Sequence, residues 1–164
     1  MRPGTTPTAA TPIRRAVPRD AGRLTRVVRT SRAYADRYAS AVAGYRVGPD
    51  YLAAHRVFVA TEGDGGPVLG FYALVLGPPG PAELDLMFVA DAAQGRGIGR
   101  LLAAHLAAEA RAAGATGVRI VAHPPAEGFY LTVGAHRVGT VLASPSVPWD
   151  RPELLLPVDG PGPE

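Results

Sequence analysis

The sequence predicts an α/β (α+β) chain built on a mixed central sheet of about six to seven strands. Three observations carry that expectation. Short β-branched and aromatic runs are bounded by Gly/Pro turns, one such run leads through a glycine-rich loop into a long helical stretch, and a further apolar run follows that helix. A strand–helix–strand unit joins parallel neighbours through a right-handed crossover. The runs before it are linked by turns short enough for antiparallel hairpins, so the sheet is mixed.

Residues 1–12 are rich in Thr, Pro and Ala and read as a mobile tail, as do residues 159–164 (DGPGPE), which leaves 13–158 as one domain. A short first strand is expected at 13–17. Pro18 and Asp20 then introduce a helix over 21–30, with Leu24, Val27 and Val28 at i, i+3, i+4 on one face. The helical pattern continues over 32–42, where Tyr34, Tyr38 and Val42 are spaced four apart, and residues 49–52 form a single turn. Strands follow at 56–60 (RVFVA) and 68–76 (VLGFYALVL), joined across the turn Glu62-Gly63-Asp64-Gly65-Gly66. The Pro-rich turn 77–81 precedes a third strand of this group at 82–89 (AELDLMFV). Strict alternation there puts Leu84, Leu86 and Phe88 on one face and Glu83, Asp85, Met87 and Val89 on the other. A loop at 90–96, a helix over 97–113 ended by Gly114, a strand at 117–122, a short helix at 126–133 and strands at 135–142 and 153–158 complete the order.

Composition narrows the function. There is no cysteine among the 164 residues, which excludes a disulfide scaffold, a Cys-ligated metal and a thiol nucleophile. His55, His105, His123 and His136 never take an i, i+4 spacing, so no metal is expected. No apolar run nears the roughly 18 residues of a membrane span, and the first residues lack a signal-peptide core, so no membrane partner is expected and the expected location is cytoplasmic. All 17 basic residues are Arg, and the formal net charge is +3. They are unevenly placed: residues 1–56 carry 11 Arg against Asp20, Asp36 and Asp50, a balance of +8, whereas the remainder balances at −5. A basic first third suits an anionic ligand, but most such runs are solvated helical faces, and no aromatic-interleaved basic module marks a nucleic-acid binder.

The densest chemical signal is Gln94-Gly95-Arg96-Gly97-Ile98-Gly99-Arg100, between a strand and a helix. Missing Cβ atoms let a ligand approach the backbone, and the first N–H groups of a helix have no internal partners and sit at the positive end of its dipole. A diphosphate answers both features, with Arg96 and Arg100 adding charge. A dinucleotide fingerprint fails, because Ala90-Asp91-Ala92-Ala93 intervene after the strand and the third glycine position is Arg100. A phosphate loop of the ATP type fails because it requires Lys, and the chain has none.

The run 94–99 matches, without a gap, the Arg/Gln-x-x-Gly-x-Gly/Ala acetyl-CoA motif of the GNAT superfamily of N-acetyltransferases, which the chain resembles over about residues 13–158. The flanks agree: Phe88-Val89 closing a strand, Leu101-Leu102 on the helix, Glu127-Gly128-Phe129-Tyr130, and Gly134-Ala135. The block 126–139 is similar to that of small, mostly uncharacterised members. The resemblance implies a GNAT fold, with helices on both faces and a parallel central pair splayed by a bulge in the strand at 82–89. It also implies acetyl-CoA as co-substrate, its pantetheine arm paired with Met87, Phe88 and Val89, and its pyrophosphate on Gln94, Gly95, Arg96, Gly97, Ile98, Gly99 and Arg100.

The reaction so implied is direct attack of a primary amine on the thioester in a ternary complex. Glu83 resembles the family's general-base Glu, and Asp85, about 7 Å further along the same face, is the other candidate. Tyr130 resembles the Tyr that protonates the departing thiolate. Many members carry Asn before that helix; here the segment reads His123-Pro124-Pro125, which puts one CoA contact in question, and His123 is either an acid/base residue or a packing residue. Ser144, Ser146 and Trp149 lie in the loop before the last strand. The expected acceptor is a small-molecule or peptide amine. A homodimer is expected through the apolar strand 153–158 as a sheet edge. The alternative to an enzyme is a non-catalytic acyl-CoA-binding module, which would need the glycine loop but neither Glu83 nor Tyr130.

Overall fold

The computed structural model describes residues 11–158, so residues 1–10 of the tail expected at 1–12, and the tail expected at 159–164, lie outside the described residues. Pro12, read from sequence as part of the first tail, accepts a hydrogen bond from the Thr61 N–H and is held to the sheet. Seven strands, β1 (Ile13–Arg15), β2 (Arg56–Thr61), β3 (Val68–Val75), β4 (Ala82–Val89), β5 (Gly117–Val121), β6 (His136–Val141) and β7 (Arg151–Pro157), form one sheet in the order β1-β2-β3-β4-β5-β7-β6. Only β4 and β5 run parallel, as a crossover helix between them requires.

Helices cover both faces. Leu24, Val27 and Val28 of α1 (Ala21–Arg29) and Leu52 of α2 (Pro49–Ala54) pack with Val57, Val59, Phe71 and Ala73 on one side. On the other, Ile98, Leu102 and Leu106 of α3 (Ile98–Ala112) and Tyr130 of α4 (Glu127–Thr132) pack with Tyr72, Leu74, Ile120 and Leu154. The strands belong inside because their β-branched and aromatic runs bury both faces at once.

The sheet is irregular where it matters. Ala73 pairs with Leu86 but Leu74 pairs with Leu84, so Asp85 is an extra residue on β4, a β-bulge. The bulge overturns the single alternation expected for this strand. Ala82 and Leu84 face the α3 core together with Met87 and Val89, whereas Leu86 and Phe88 face the α1 core. It also bends β4 away from β5. Their ladder is limited to Ala82–Val118, Glu83–Arg119 and Leu84–Ile120, beyond which the strands part in the V expected from the resemblance.

Two further expectations are corrected. Residues 32–42 do not continue as a helix; they form two 3-10 turns, Arg32–Tyr34 and Asp36–Ala41, divided by Ala35 in extended backbone and Asp36 at φ 58°. Asp tolerates that left-handed conformation better than most residues, and tertiary contacts of Tyr34 and Tyr38 replace the missing helical register. The strand proposed as a dimer edge, β7, lies between β5 and β6 and pairs with both, so its edges are already used; β6 is the outer strand. Among the described residues no helix is long and apolar enough to cross a membrane.

Candidate active site

The parting of β4 and β5 opens a cavity of about 500 Å³. Its floor is β4 from Leu84 to Val89, one wall is the loop 93–95 with the start of α3, another is Ile120–His123 with Phe129 and Tyr130, and the roof is Val28, Ser31, Tyr34, Val42 and Tyr45. The backbone at its floor is partly unpaired. The Ala90 N–H donates to the Leu69 carbonyl, so alternation turns the polar groups of Phe88 toward β3 and those of Met87 and Val89 into the gap. The Val89 carbonyl there accepts a bond from the Gln94 side-chain amide at 3.0 Å, which ties the loop to the strand end.

The three glycines of the loop serve different needs. Gly95 and Gly97 both sit at φ 79°, and nothing approaches the place of their absent Cβ atoms, so glycine answers the backbone turn there. Gly99 has an ordinary helical φ, but a Cβ would lie 3.0 Å from the Phe129 ring, so it is small to let α3 meet α4. Gly97 is the N-cap of α3, and no side chain caps the helix. Its first N–H groups therefore open toward the cavity as donors in search of an acceptor.

The structure brings together most of the site residues expected from sequence, but not all. Met87, Phe88, Val89, Gln94, Gly95, Gly97, Ile98, Gly99 and Arg100 line the cavity, as do Asp85 and Tyr130. Arg96 does not; its guanidinium makes a two-pronged pair with Glu62 at 2.9 and 3.0 Å. Glu83 does not either. It is bound by Arg119 Nη1 at 2.5 Å, and Arg119 Nε holds Glu153 at 2.6 Å, a chain of charges running across β4, β5 and β7. Ser144 and Ser146 bond to each other away from the cavity.

Asp85 receives a short hydrogen bond from the Tyr51 hydroxyl of α2. Burial, then the bond to Asp85, pushes the Tyr51 phenol far up, so it stays a donor. Tyr130 is 8% exposed, and no described residue bonds its hydroxyl; burial pushes its phenol well above the ordinary value, keeping it protonated at neutral pH. His123 lines the cavity but is engaged. Its Nε2 lies 2.5 Å from the Ala33 carbonyl, its ring stacks on Tyr34 at 3.8 Å, and Tyr38 meets it edge-on at 4.5 Å and reaches Trp149 beyond. Burial lowers its pKa, so the ring is neutral and Nε2–H donates. The packing role, of the two open from sequence, is the one this geometry fits. Tyr34, Tyr45 and Tyr51 are not among the site residues the sequence points to; of the three only Tyr34 leaves a signal there, its four-residue spacing from Tyr38.

The profile of the Acetyltransferase (GNAT) domain family matches residues 53–134, half of the chain, from α2 through the glycine loop to the end of α4. The chain belongs to the GNAT acetyltransferase family. Solved structures agree on the GNAT fold. A GNAT-family protein from Desulfovibrio desulfuricans is 22% identical over 92% of this chain and 100% of its own, with a TM-score of 0.73. A Salmonella typhimurium protein solved with its cofactor acetyl-CoA is 19% identical over 94% and 97% of the two chains, TM-score 0.68. The ribosomal-protein-S18-alanine N-acetyltransferase of Escherichia coli is 16% identical over 93% and 96%, TM-score 0.68. No curated protein matches the sequence. The family profile begins after Tyr34 and Tyr45, so the roof of the cavity in this GNAT domain lies outside the matched segment.

Proposed function

We propose that this GNAT protein is an acetyl-CoA-dependent N-acetyltransferase that moves the acetyl group to a primary amine by direct attack in a ternary complex. The observation that carries this reading is one cavity with a donor end, at the uncapped start of α3, and a carboxylate and a protonated phenol further along it. The residues fit the co-substrate. Met87 offers an N–H and a carbonyl to an arm that carries amides, and the free N–H groups of α3 with Arg100 offer donors to a pyrophosphate. The binding of acetyl-CoA by the Salmonella neighbour of the same fold supports the assignment.

Of the two carboxylates, Asp85 is the better-placed base. It lines the cavity, while Glu83 is occupied by Arg119. Tyr51 donates to one oxygen of Asp85 and orients the other. Asp85 accepts the proton of the attacking amine as the C–N bond forms, and Tyr130 gives its phenolic proton to the sulfur as the C–S bond breaks. Asp85 later returns its proton to solvent, and Tyr130 regains one from it.

Calorimetry with acetyl-CoA and thiol release over an amine panel test the reading. Tight acetyl-CoA binding with turnover supports it, and binding without turnover on any amine makes the chain a non-catalytic module. Within an active enzyme, Asp85→Asn should lower kcat by about 10²–10⁴-fold, the range of general acid–base catalysis, while Glu83→Gln acts mainly on stability. The reverse result returns the base to Glu83.

A further inference from the structure

The roof of the cavity is aromatic and apolar. Tyr34 lies flat between His123, at 3.8 Å, and Phe88, at 5.4 Å, so one phenol is fixed as a wall by contacts on two sides. Val28, Val42 and Tyr45 continue that wall, and Arg29 of α1 holds the Tyr45 carbonyl at 2.7 Å. Burial, then the charge of Asp85, pushes the Tyr45 phenol up. Among the described residues the cavity lining holds one carboxylate, Asp85 under this roof, and one guanidinium, Arg100 beside the glycine loop at the donor end. Arg151 acts on Tyr34 electrostatically but does not line the cavity.

This set of groups discriminates among amines. An ammonium entering under the roof meets the Asp85 carboxylate, which attracts it, and its skeleton meets a wall of apolar side chains and tyrosine rings. A carboxylate on the carbon next to the amine meets Asp85 under the roof, while the lining's guanidinium, Arg100, sits at the donor end, so it would lose water without gaining a counter-charge. The volume sets a further limit, since about 500 Å³ must take the donor arm and the acceptor together. We infer that the acceptor is a compact primary amine on an apolar, preferably aromatic, skeleton with no carboxylate beside the nitrogen. The inference rests on the acetyltransfer reading above.

The test is a matched panel on the full chain at saturating acetyl-CoA: 2-phenylethylamine against phenylalanine, tyramine against tyrosine, and a short peptide with a free N-terminus. The carboxylate-free member of each pair should lead in kcat/KM by about 100-fold or more, in keeping with the cost of placing like charges together. Tyr45→Leu and Tyr34→Leu should each raise KM for 2-phenylethylamine by about tenfold through lost aromatic packing. Acetyl-CoA binding by calorimetry reports that each variant is folded. Equal or better use of phenylalanine, tyrosine or the peptide overturns the acceptor class and leaves acetyltransfer standing. A KM that neither wall variant moves overturns it as well. Failure of the wild-type chain to bind acetyl-CoA overturns the acetyltransfer reading itself, and this inference with it.

Discussion

Asp20 illustrates how a single carboxylate anchors the start of the fold. It is 1% exposed, takes both prongs of Arg14 at 2.8 and 2.9 Å, and accepts the Val17 N–H at 2.8 Å, so β1 and the entry to α1 are joined at one side chain. The Arg14 hydrogen bonds, outweighing burial, hold its pKa below the ordinary 3.8. A lowered carboxylate contributes its stability in full above the unfolded value and loses it as pH falls through the folded one. Asp20→Asn should therefore cost about 2 kcal/mol at pH 7 in urea denaturation, and the gap to wild type should close below pH 3.8. Tyr130 allows a cleaner test at the same scale. Tyr130→Phe keeps the ring that packs in the core and removes only the hydroxyl, so folding and acetyl-CoA affinity should persist while turnover falls. Raising the pH should partly rescue Asp85→Asn, because free amine becomes abundant, but should not rescue Tyr130→Phe, whose leaving group still lacks a proton donor. Equal rescue of both would remove Tyr130 from the acid role.

At the scale of elements, the segment from Arg32 to Ala41 folds as two 3-10 turns and brings Ala33, Tyr34 and Ala41 to the roof side of the site. It is pinned at its start by the Arg32 N–H to Asp91 and by His123, which reaches Ala33 from 90 residues away and packs on Tyr34 and Tyr38. Its helical spacing was legible in sequence and its actual course was not, because the partners that break the helix come from the far end of β5. Strand limits, by contrast, could be read closely: β4 starts and ends where alternation and the Pro-rich turn put it, and α1 presents Leu24, Val27 and Val28 inward as its spacing dictates. Even in β4 the face of each residue could not be read past Leu84, since nothing about Asp85 in the chain announces that its neighbours will skip it. The candidate site followed the same division. The glycine loop and Tyr130 are local motifs and were legible, whereas the link from Tyr51 to Asp85 spans 34 residues and the one from Arg119 to Glu83 spans 36. His123→Ala removes a hydrogen bond and an aromatic stack from the roof, together about 1–2 kcal/mol. Amide exchange in 32–41 should quicken by about tenfold or more while α3 is unchanged. The wild-type segment should also loosen on acidification, because a histidine whose pKa burial lowers is neutral and unstrained above 6.5 and meets a growing cost below it. Exchange in this segment that ignores both the substitution and the pH would remove the latch.

For the molecule as a whole, the expectation concerns coupling between the donor and stability. A ligand at 100 times its Kd stabilises the native state by about 2.7 kcal/mol, which for a domain of this size corresponds to about 5–10 °C in Tm. Acetyl-CoA should produce such a shift in a thermal melt. Gly97→Glu should abolish it by setting a bulky anion at the N-terminus of α3, where the proposed pyrophosphate would lie. The same residue also carries φ 79°, so part of its effect will be a lower starting Tm. A full shift in that variant would move the donor away from α3.

The bulge at Asp85 has a consequence beyond the cavity. A sheet normally has two rims, and proteins guard both; this one has a third rim in its interior, where β4 turns its Met87 backbone groups toward a strand that has left it. Unpaired strand backbone of this kind is a template on which another extended chain can pair. The aromatic roof and the Gln94 clasp on Val89 then act as guards that narrow the entrance to a thin, flexible guest. Heated without acetyl-CoA, the protein should scatter light sooner than its Tm alone dictates, and substitutions that open the roof should advance that onset further.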